Sequence, residues 1–190
     1  MRVMSLSTYS LAAALLLASA APAAAQGGRF TVTSPDLKPG GTFPTRFVGN
    51  IMGCPGQNVS PALQWSGAPA ATKSFAVTMY DPDAPTGSGF WHWVVYNIPA
   101  STTSLRGGAG DPKAAALPAG AVQGNTDVAA PGYIGPCPPA GDKAHRYIIT
   151  VVALKTPKLE LPANATAAMV GFNLHGNELA RATLTAKYGR

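Results

Sequence analysis

The chain has 190 residues, 46% of them hydrophobic, and its 14 basic and 8 acidic side chains give a formal net charge of +6 at pH 7. The basic residues are scattered and form no cluster interleaved with aromatic residues, which argues against nucleic-acid binding. Only 12% of the residues are charged, but aromatic and β-branched residues are plentiful, so the composition excludes a disordered chain.

The first 25 residues have the pattern of a secretory signal peptide. Arg2 precedes an apolar run around Leu11–Ala18, and the small residues Ala23–Ala25 follow. The run is shorter than the roughly 18–20 residues that a membrane-spanning helix needs, which favours cleavage after Ala25 over a membrane anchor. The sequence therefore predicts an exported protein, periplasmic or secreted, without stable membrane insertion and with one domain over 26–190.

After the signal peptide, glycine and proline punctuate short apolar runs, a pattern typical of a β-sandwich or barrel. The candidate strands are Phe30–Thr33, Thr45–Phe47, Ala62–Trp65, Ser74–Tyr80, His92–Ile98 and His145–Leu154. The last of them is nearly continuous in β-branched and aromatic residues, which predicts an internal strand buried on both faces. Pro112–Pro139 predicts a long irregular connection that serves a site, with at most a short strand near Ala121–Gln123.

Apolar residues recur at helical spacing in the last part of the chain, from Asn164 onward. The positions are Leu179, Ala180, Thr183 and Leu184. This spacing predicts C-terminal helices that begin at an Asn164 or Thr166 cap and are divided by Gly171 and Gly176. The predicted fold class is therefore mainly β, within the α+β class.

Cys54 and Cys137 are the only cysteines. An even pair in an exported protein predicts a disulfide, with two separate buried thiols as the alternative. Two cysteines do not make a structural zinc site without histidine ligands, and no C-x-x-C or H-x-x-x-H spacing occurs. The sequence accordingly predicts neither a metal site nor a cofactor.

His92 stands between two tryptophans at the start of a candidate strand, after the loop DPDAPTGSG. Because side chains alternate along a strand, His92 is expected to share a face with Phe90 and Val94, with both tryptophans on the other face. The carboxylates of Asp81 and Asp83 in the loop would favour an imidazolium that binds an anion. The alternative is a histidine that is satisfied by a backbone carbonyl.

A second polar cluster, GYIGPCPPAGDKAHRY, occupies residues 132–147. Its glycines allow backbone N–H groups to approach a ligand, and its prolines hold the loop rigid. His145 and Tyr147 open the following strand on one face and add two donors. The cluster predicts a cradle for a phosphate or a carboxylate, although it is not a Walker loop.

Three motifs occur in order along the chain: DPDAP, then HWVVYNIP from residue 92, then GPCPPAGDKAHRY from residue 135. With NVSPALQWSGAP from residue 58 and the ending LARATLTAKYGR, they resemble the phosphatidylethanolamine-binding protein (PEBP) family, in particular its bacterial Raf-kinase-inhibitor-like branch. The resemblance covers essentially the whole mature chain. It implies a Greek-key β-sandwich with helices at the C-terminal end and a small pocket for phosphate-like head groups.

The resemblance also implies the ligand-binding residues. They are Asp81, Pro85, His92, Gly135, Cys137, Pro138, His145 and Tyr147. Asp83 is expected to brace the loop rather than face the ligand, and a Cys54–Cys137 bridge would join the pocket loop to the NVSP segment. Many bacterial relatives carry a histidine just before the Leu179–Ala180 pair, but here His175 lies earlier, so it is left out of the site.

These residues favour a binding protein over an enzyme. The expected ligand is a small anion of the phosphate or phosphoethanolamine type. Three effects would offset its repulsion by Asp81: protonation of His92 and His145, donation by a P–OH or an ammonium group, or protonation of Asp81 itself. The first two predict that affinity rises as the pH falls through about 6–7.

Two other functions are alternatives to simple ligand binding. The family includes inhibitors and signalling modulators, so a protein partner is a further expectation, although fold and pocket do not carry partners over. The alternative is a hydrolase acting on a phosphorylated or ester small molecule through Asp81, His92 and His145. Ser88 is near in sequence, but the G-x-S-x-G elbow is missing, and neither a covalent nucleophile nor a metal pair is evident.

Overall fold

The structure is a computed structural model that describes Met1, residues 28–113 and residues 116–190. The predicted signal peptide therefore lies outside the described residues, apart from Met1. Within the described ranges, no helix is both long enough and apolar enough to cross a membrane. The strands are β1 Thr31–Thr33, β2 Leu63–Ser66, β3 Ser74–Asp81, β4 Phe90–Pro99, β5 Ser104–Leu105, β6 Val122–Gln123, β7 His145–Leu154 and β8 Glu178–Tyr188, with one α-helix, α1, at Ala167–Asn177.

The strands form two sheets in which hydrogen-bonded neighbours run antiparallel. The five-stranded sheet has the order β6-β4-β3-β7-β8, and the three-stranded sheet has the order β1-β2-β5. This arrangement confirms the predicted mainly β sandwich. It also confirms that His145–Leu154 is an internal strand, because β7 pairs with β3 on one side and β8 on the other.

The large sheet is covered on both faces, which explains why its long strands are so apolar. One face packs against the small sheet and forms the inner core, with Val77 and Met79 of β3 against Leu63 and Trp65 of β2. The other face forms a smaller helix-side core under α1. Burial on both faces makes a strand nearly continuous in hydrophobic residues rather than alternating.

Thr45–Phe47 was predicted to be a strand, and this prediction is wrong. These residues form a short 3-10 helix in which the N–H of Phe47 donates to the carbonyl of Pro44 at 3.0 Å, and that of Val48 to Thr45 at 3.1 Å. Proline holds φ near the value that begins such a turn. Phe47 is buried in the inner core, so its apolar character reflects a packed turn.

The predicted C-terminal helices are only partly present. Helix α1 begins after Thr166, whose hydroxyl accepts the N–H of Met169, so the predicted cap is confirmed. Neither Gly171 nor Gly176 breaks the helix, contrary to the prediction. Gly171 faces the ring of Trp91, where an added Cβ would lie 3.6 Å from the nearest ring atom, an ordinary van der Waals contact.

The residues from Leu179 to Leu184 belong to β8 and not to a helix. Their burial alternates: Ala182 and Leu184 are buried, whereas Arg181 and Thr183 are exposed. Strand β8 pairs with β7 along almost its whole length. The backbone hydrogen bonds of that ladder, together with burial of every second side chain, favour a strand, although the apolar spacing also fits a helix.

Candidate functional site

A cavity of about 220 Å³ lies where the end of β3 meets the first residues of β4 and β7. Its volume is below the roughly 300–1,000 Å³ usual for drug-sized ligands, so it suits a small group. Every ligand-binding residue that the family resemblance implied lines this cavity. They are Asp81, Pro85, His92, Gly135, Cys137, Pro138, His145 and Tyr147.

A β-bulge turns His92 toward this cavity. In the pairing of β3 with β4, Met79 is opposite Trp93 and Tyr80 is opposite Trp91, which leaves His92 without a partner. Trp93 therefore packs in the inner core, whereas Trp91 packs against the helix-side core. The prediction that both tryptophans share one face is wrong, because the extra residue shifts the alternation.

The bulge also changes the neighbours of the His92 ring. Its centroid lies 4.9 Å from that of Phe90 and 5.2 Å from that of Tyr147, which belongs to the inner core. Val94 instead lies in the helix-side core. His92 thus shares a face with Phe90, as predicted, but it does not share a face with Val94.

The His92 ring is held in one orientation by a backbone carbonyl. Its Nδ1 lies 2.9 Å from the carbonyl oxygen of Ile134, so Nδ1 carries a hydrogen and donates it. Burial lowers the pKa of His92, although this hydrogen bond and the charge of Asp81 oppose the shift. In the neutral ring Nε2 is an acceptor, which makes His92 suited to receive a hydrogen bond.

Asp81 is compensated by His145. The Nδ1 of His145 lies 2.8 Å from Asp81 Oδ2, and both side chains are buried. Asp81 Oδ1 accepts the backbone N–H of Asp83 at 2.8 Å, and the other nitrogen of His145 lies 3.5 Å from Asp142 Oδ2. The buried carboxylate is therefore hydrogen-bonded on both oxygens, as a buried charge requires.

The hydroxyl of Tyr147 is buried and poorly satisfied within the described part of the chain. The residue is 0% exposed, and no described residue meets ordinary hydrogen-bond geometry with its hydroxyl. Burial raises the pKa of Tyr147, and the charge of the nearby Asp81 carboxylate and a weak side-chain hydrogen bond to it add to the shift, so the phenol keeps its proton. An unpaired buried hydroxyl costs free energy, and this one lines the cavity.

The opposite wall is the loop of Gly135, Cys137 and Pro138, which is fixed from several sides. The N–H of Gly135 donates to Asn58 Oδ1 at 2.7 Å. Cys137 forms a disulfide with Cys54, with the sulfurs 2.03 Å apart and the Cα atoms 5.8 Å apart. The predicted pairing is present and joins this loop to the segment before Asn58. Such a wall is shaped before any ligand arrives.

Two side chains beside the motifs lie outside the cavity. Asp83 accepts two hydrogen bonds from the Arg146 guanidinium, at 2.9 and 2.7 Å, and does not line the cavity. These bonds lower the pKa of Asp83 to about 2, which fits the predicted bracing role. His175 lies in the last turn of α1, is exposed, and is likewise outside the cavity.

The sequence did not identify several other lining residues. They are Met52, Ala84, Thr86, Phe90, Ile134, Pro139 and Arg190. Six of them stand near DPDAP, HWVVYNIP, GPCPPAGDKAHRY or Cys54, so proximity in sequence was their only signal. Arg190 ends the stretch LARATLTAKYGR, which supported the family resemblance but predicted no lining residue, and it is far in sequence from every other lining residue.

The comparisons with known proteins agree with the geometry. The model of the family described as phosphatidylethanolamine-binding protein matches residues 33–189. The UPF0098 protein YbcL of Escherichia coli is 51% identical over 164 residues, covering 86% of this chain and 90% of YbcL. YbhB of the same organism is 51% identical over 155 residues, covering 82% of this chain and 97% of YbhB.

The crystal structure of E. coli YbcL, described as a new member of the mammalian PEBP family, superposes with a TM-score of 0.83. The match covers 85% of this chain and 98% of YbcL, at 51% identity. Fold, motifs and cavity therefore lead to one assignment. The chain belongs to the phosphatidylethanolamine-binding protein family.

Proposed function

We propose that this protein binds a small phosphate anion, either inorganic phosphate or a monoester of the phosphoethanolamine type, in the cavity between Asp81, His92, Gly135 and Tyr147. The observation that carries the proposal is the buried Tyr147 hydroxyl, which has no partner in the described residues and lines the cavity. A phosphate oxygen accepts strongly from such a donor. Binding would thus relieve the cost of the unpaired hydroxyl.

The neutral ring of His92 defines what else the ligand must supply. Because Nδ1 donates to Ile134, Nε2 accepts, and a P–OH group is a matching donor. A phosphate monoester has its second pKa near 6, and its monoanion carries this P–OH. The proposed ligand form is therefore the monoanion, whose single P–OH meets His92 while its other oxygens meet Tyr147.

The paired state of Asp81 supports an anion beside it. Its carboxylate is already hydrogen-bonded to His145 and to the N–H of Asp83, so both of its oxygens have partners within the protein. Burial lowers the pKa of His92, so the compensation by an imidazolium at that residue, which the sequence predicted, is not part of this proposal. The cavity then presents donors to an anion without an unpaired negative charge.

A hydrolase acting at the same residues is not favoured. The hydroxyl group of Thr86, which lines the cavity, donates to the carbonyl of Gly89, and Cys137 is held in the disulfide. Ser88 is not among the lining residues in the described chain. Covalent catalysis needs an activated nucleophile within hydrogen-bond reach of a base, and the lining side chains offer none.

We also propose that the protein works outside the cytoplasm, periplasmic or secreted. The proposal rests on the signal-peptide pattern of the first 25 residues and on the Cys54–Cys137 disulfide, since disulfides persist in oxidising compartments. Fractionation of cells that produce the full chain, with N-terminal sequencing of the product, tests it. Mature protein beginning at Gln26 in the exported fraction is expected, and an uncleaved cytoplasmic chain would contradict it.

An NMR titration tests the ligand proposal. Inorganic phosphate is added to ¹⁵N-labelled protein at pH 6, and sodium sulfate serves as an anion of similar shape without an acidic P–OH. Saturable amide shifts are expected in the loops around Asp81 and Gly135 with phosphate, and much weaker ones with sulfate. Shifts scattered over the surface, or none with phosphate, would refute the proposed site.

A further inference from the structure

Arg190 places a guanidinium at the rim of the cavity, where the motifs predicted no cation. Its Nε donates to the carbonyl of Pro138 at 2.8 Å, and its two terminal nitrogens donate to the carbonyls of Gly53 and Met52 at 3.3 and 3.2 Å. Arg190 itself lines the cavity. Its backbone is also tied in place, because its carbonyl accepts the N–H of Gly141 at 2.9 Å.

No side-chain carboxylate of the described residues neutralises the charge of this guanidinium. All three bonded acceptors are carbonyl oxygens, and no carboxylate in the described part of the chain forms an ion pair with Arg190. Three bonds also leave two of the five N–H donors of a guanidinium unused. Among the described residues that line the cavity, Arg190 is the only arginine or lysine, and Asp81 has the only side-chain carboxylate.

A purely structural role does not account for this arrangement. The segments that Arg190 bridges, around Gly53 and Pro138, are already joined covalently by the adjacent Cys54–Cys137 disulfide. The hydrogen bonds of Arg190 add little further restraint to two loops that the disulfide already joins. A cation held in place by carbonyl groups, with donors to spare, is instead an oriented binding group for an anion.

We propose that Arg190 is a specificity-determining residue of the cavity: it contacts the anionic oxygens of the phosphate monoester from the rim, opposite the Tyr147 donor. This inference rests on the proposed phosphate-binding function and deepens it. Arg190 supplies the fixed positive charge that makes the cavity prefer an anion to a neutral polar molecule, at any protonation state of the histidines. The planar fork also suits two oxygens of one phosphate group.

The test compares Arg190→Gln, Arg190→Lys and Arg106→Gln by calorimetric titration with inorganic phosphate at two salt concentrations. Arg106 is exposed and lies outside this cavity, so Arg106→Gln is the charge-matched control. Arg190→Gln is expected to weaken phosphate binding by about tenfold to a hundredfold, the usual value of a charged hydrogen bond. Arg190→Lys keeps the charge but loses the planar fork, so it is expected to weaken phosphate binding less than Arg190→Gln and to retain the salt dependence of the wild type.

Thermal unfolding of each variant separates recognition from bracing. Wild-type affinity and wild-type salt dependence in Arg190→Gln would overturn the inference while leaving the phosphate site standing. Equal loss of affinity in Arg190→Lys and Arg190→Gln, in step with equally lowered melting temperatures, would make Arg190 a loop brace and also overturn it. If the wild-type protein binds no phosphate, the proposed function itself fails, and this inference fails with it.

Discussion

Tyr133 and Tyr147 are both buried tyrosines, and they differ in one hydrogen bond. The hydroxyl of Tyr133 donates to the carbonyl of Phe47 at 2.7 Å, whereas that of Tyr147 has no partner among the described residues. A hydroxyl kept unpaired in the interior costs stability, whereas a paired one contributes to it. In the proposed site, the hydroxyl of Tyr147 is the one that a ligand would satisfy, whereas the fold itself satisfies that of Tyr133.

Tyr147→Phe is expected to leave the free energy of unfolding unchanged or slightly higher, because it removes an unpaired hydroxyl. Phosphate binding should weaken by about tenfold, the value of one good hydrogen bond to a charged acceptor. Tyr133→Phe is the matched control and should lower stability by about 1–3 kcal/mol, because the Phe47 carbonyl loses its donor. Urea unfolding and phosphate titration of both variants check this; a reversed pattern would contradict the assignment.

The pH dependence of stability is predicted from His92. Burial lowers its pKa in the folded protein, so below about pH 6.5, the ordinary value for histidine, the unfolded chain binds more protons. The contribution of neutral His92 to the free energy of unfolding is therefore fully present above that pH. It falls as the pH drops toward the pKa of His92 in the folded protein. The slope due to one such group is at most about 1.4 kcal/mol per pH unit.

Urea midpoints of the wild type, His92→Gln and His175→Gln between pH 5 and 7.5 measure this effect. His92→Gln is expected to flatten the profile, because glutamine does not titrate and keeps a donor for the Ile134 carbonyl. His175 is exposed in α1, so its variant should follow the wild type. An unchanged slope in His92→Gln would show that this histidine does not titrate as its burial requires.

Local motifs were sufficient to identify much of the cavity at the residue scale. DPDAP and GPCPPAGDKAHRY each place several lining residues in consecutive or alternate positions, so the sequence alone groups them. Two features depended on distant contacts and were missed. The bulge at His92 arises from its pairing with β3, and Arg190 reaches the cavity only because β8 lies beside β7.

At the scale of elements, the pocket loop depends on Gly135. A Cβ at this position would lie 2.3 Å from the carbonyl oxygen of Phe47 and 2.4 Å from the backbone nitrogen of Gly49. Both are backbone atoms that cannot rotate away. The loop and the 3-10 helix before Val48 are thus in direct backbone contact, and any side chain would push the cavity wall outward.

Gly135→Ala is expected to lower the free energy of unfolding by about 2 kcal/mol or more, as overpacking against backbone does, and to abolish phosphate binding. Gly176→Ala is the matched control, since that position lies in α1 with open space around it. It should raise stability by up to about 1 kcal/mol through helix propensity. Thermal unfolding of both variants decides, and a Gly135→Ala protein with wild-type stability would contradict the contact.

The C-terminal elements show where local patterns stop being informative. Alternating small residues in ELARATLTAKY fit a period of two as well as a helical spacing, so the sequence alone does not choose between them. The ladder with β7 makes the choice. In α1, burial of Ala167, Val170 and Leu174 in the helix-side core offsets the poor helix propensity of its glycines. In both cases the tertiary partner, which is invisible in a single sequence, decides the outcome.

At the scale of the whole molecule, the disulfide closes a loop between residues 83 positions apart. Closing a loop of that length removes enough chain entropy from the unfolded state to be worth about 4.5 kcal/mol. Cys54→Ala/Cys137→Ala is therefore expected to lower the free energy of unfolding by about 2–5 kcal/mol. Denaturant unfolding of the double variant, and of the wild type with and without a dithiol reductant, measures it; equal midpoints in all three would contradict the prediction.

The mainly β class and the sandwich were predictable because burial requires particular residue patterns in long strands. Strand β7 is apolar along nearly all its length because the sheet is covered on both faces. Short elements were less predictable: in Thr45–Phe47, one buried aromatic residue produces the same apolar signal as a strand. Many residues of the long strands indicate the overall architecture, whereas a turn depends on single residues such as Pro44.

The central claim is that the cavity binds the monoanion of a phosphate monoester through the donor Tyr147 and the acceptor His92. Calorimetric titration with O-phosphoethanolamine at pH 5.5 and pH 8, with His92→Ala in parallel, tests it most directly. One-site binding, more than about tenfold tighter at pH 5.5 because the P–OH is lost above a pKa near 6, and weakened in His92→Ala, is the predicted result. Equal affinity at both pH values, or no binding at either, would contradict the account.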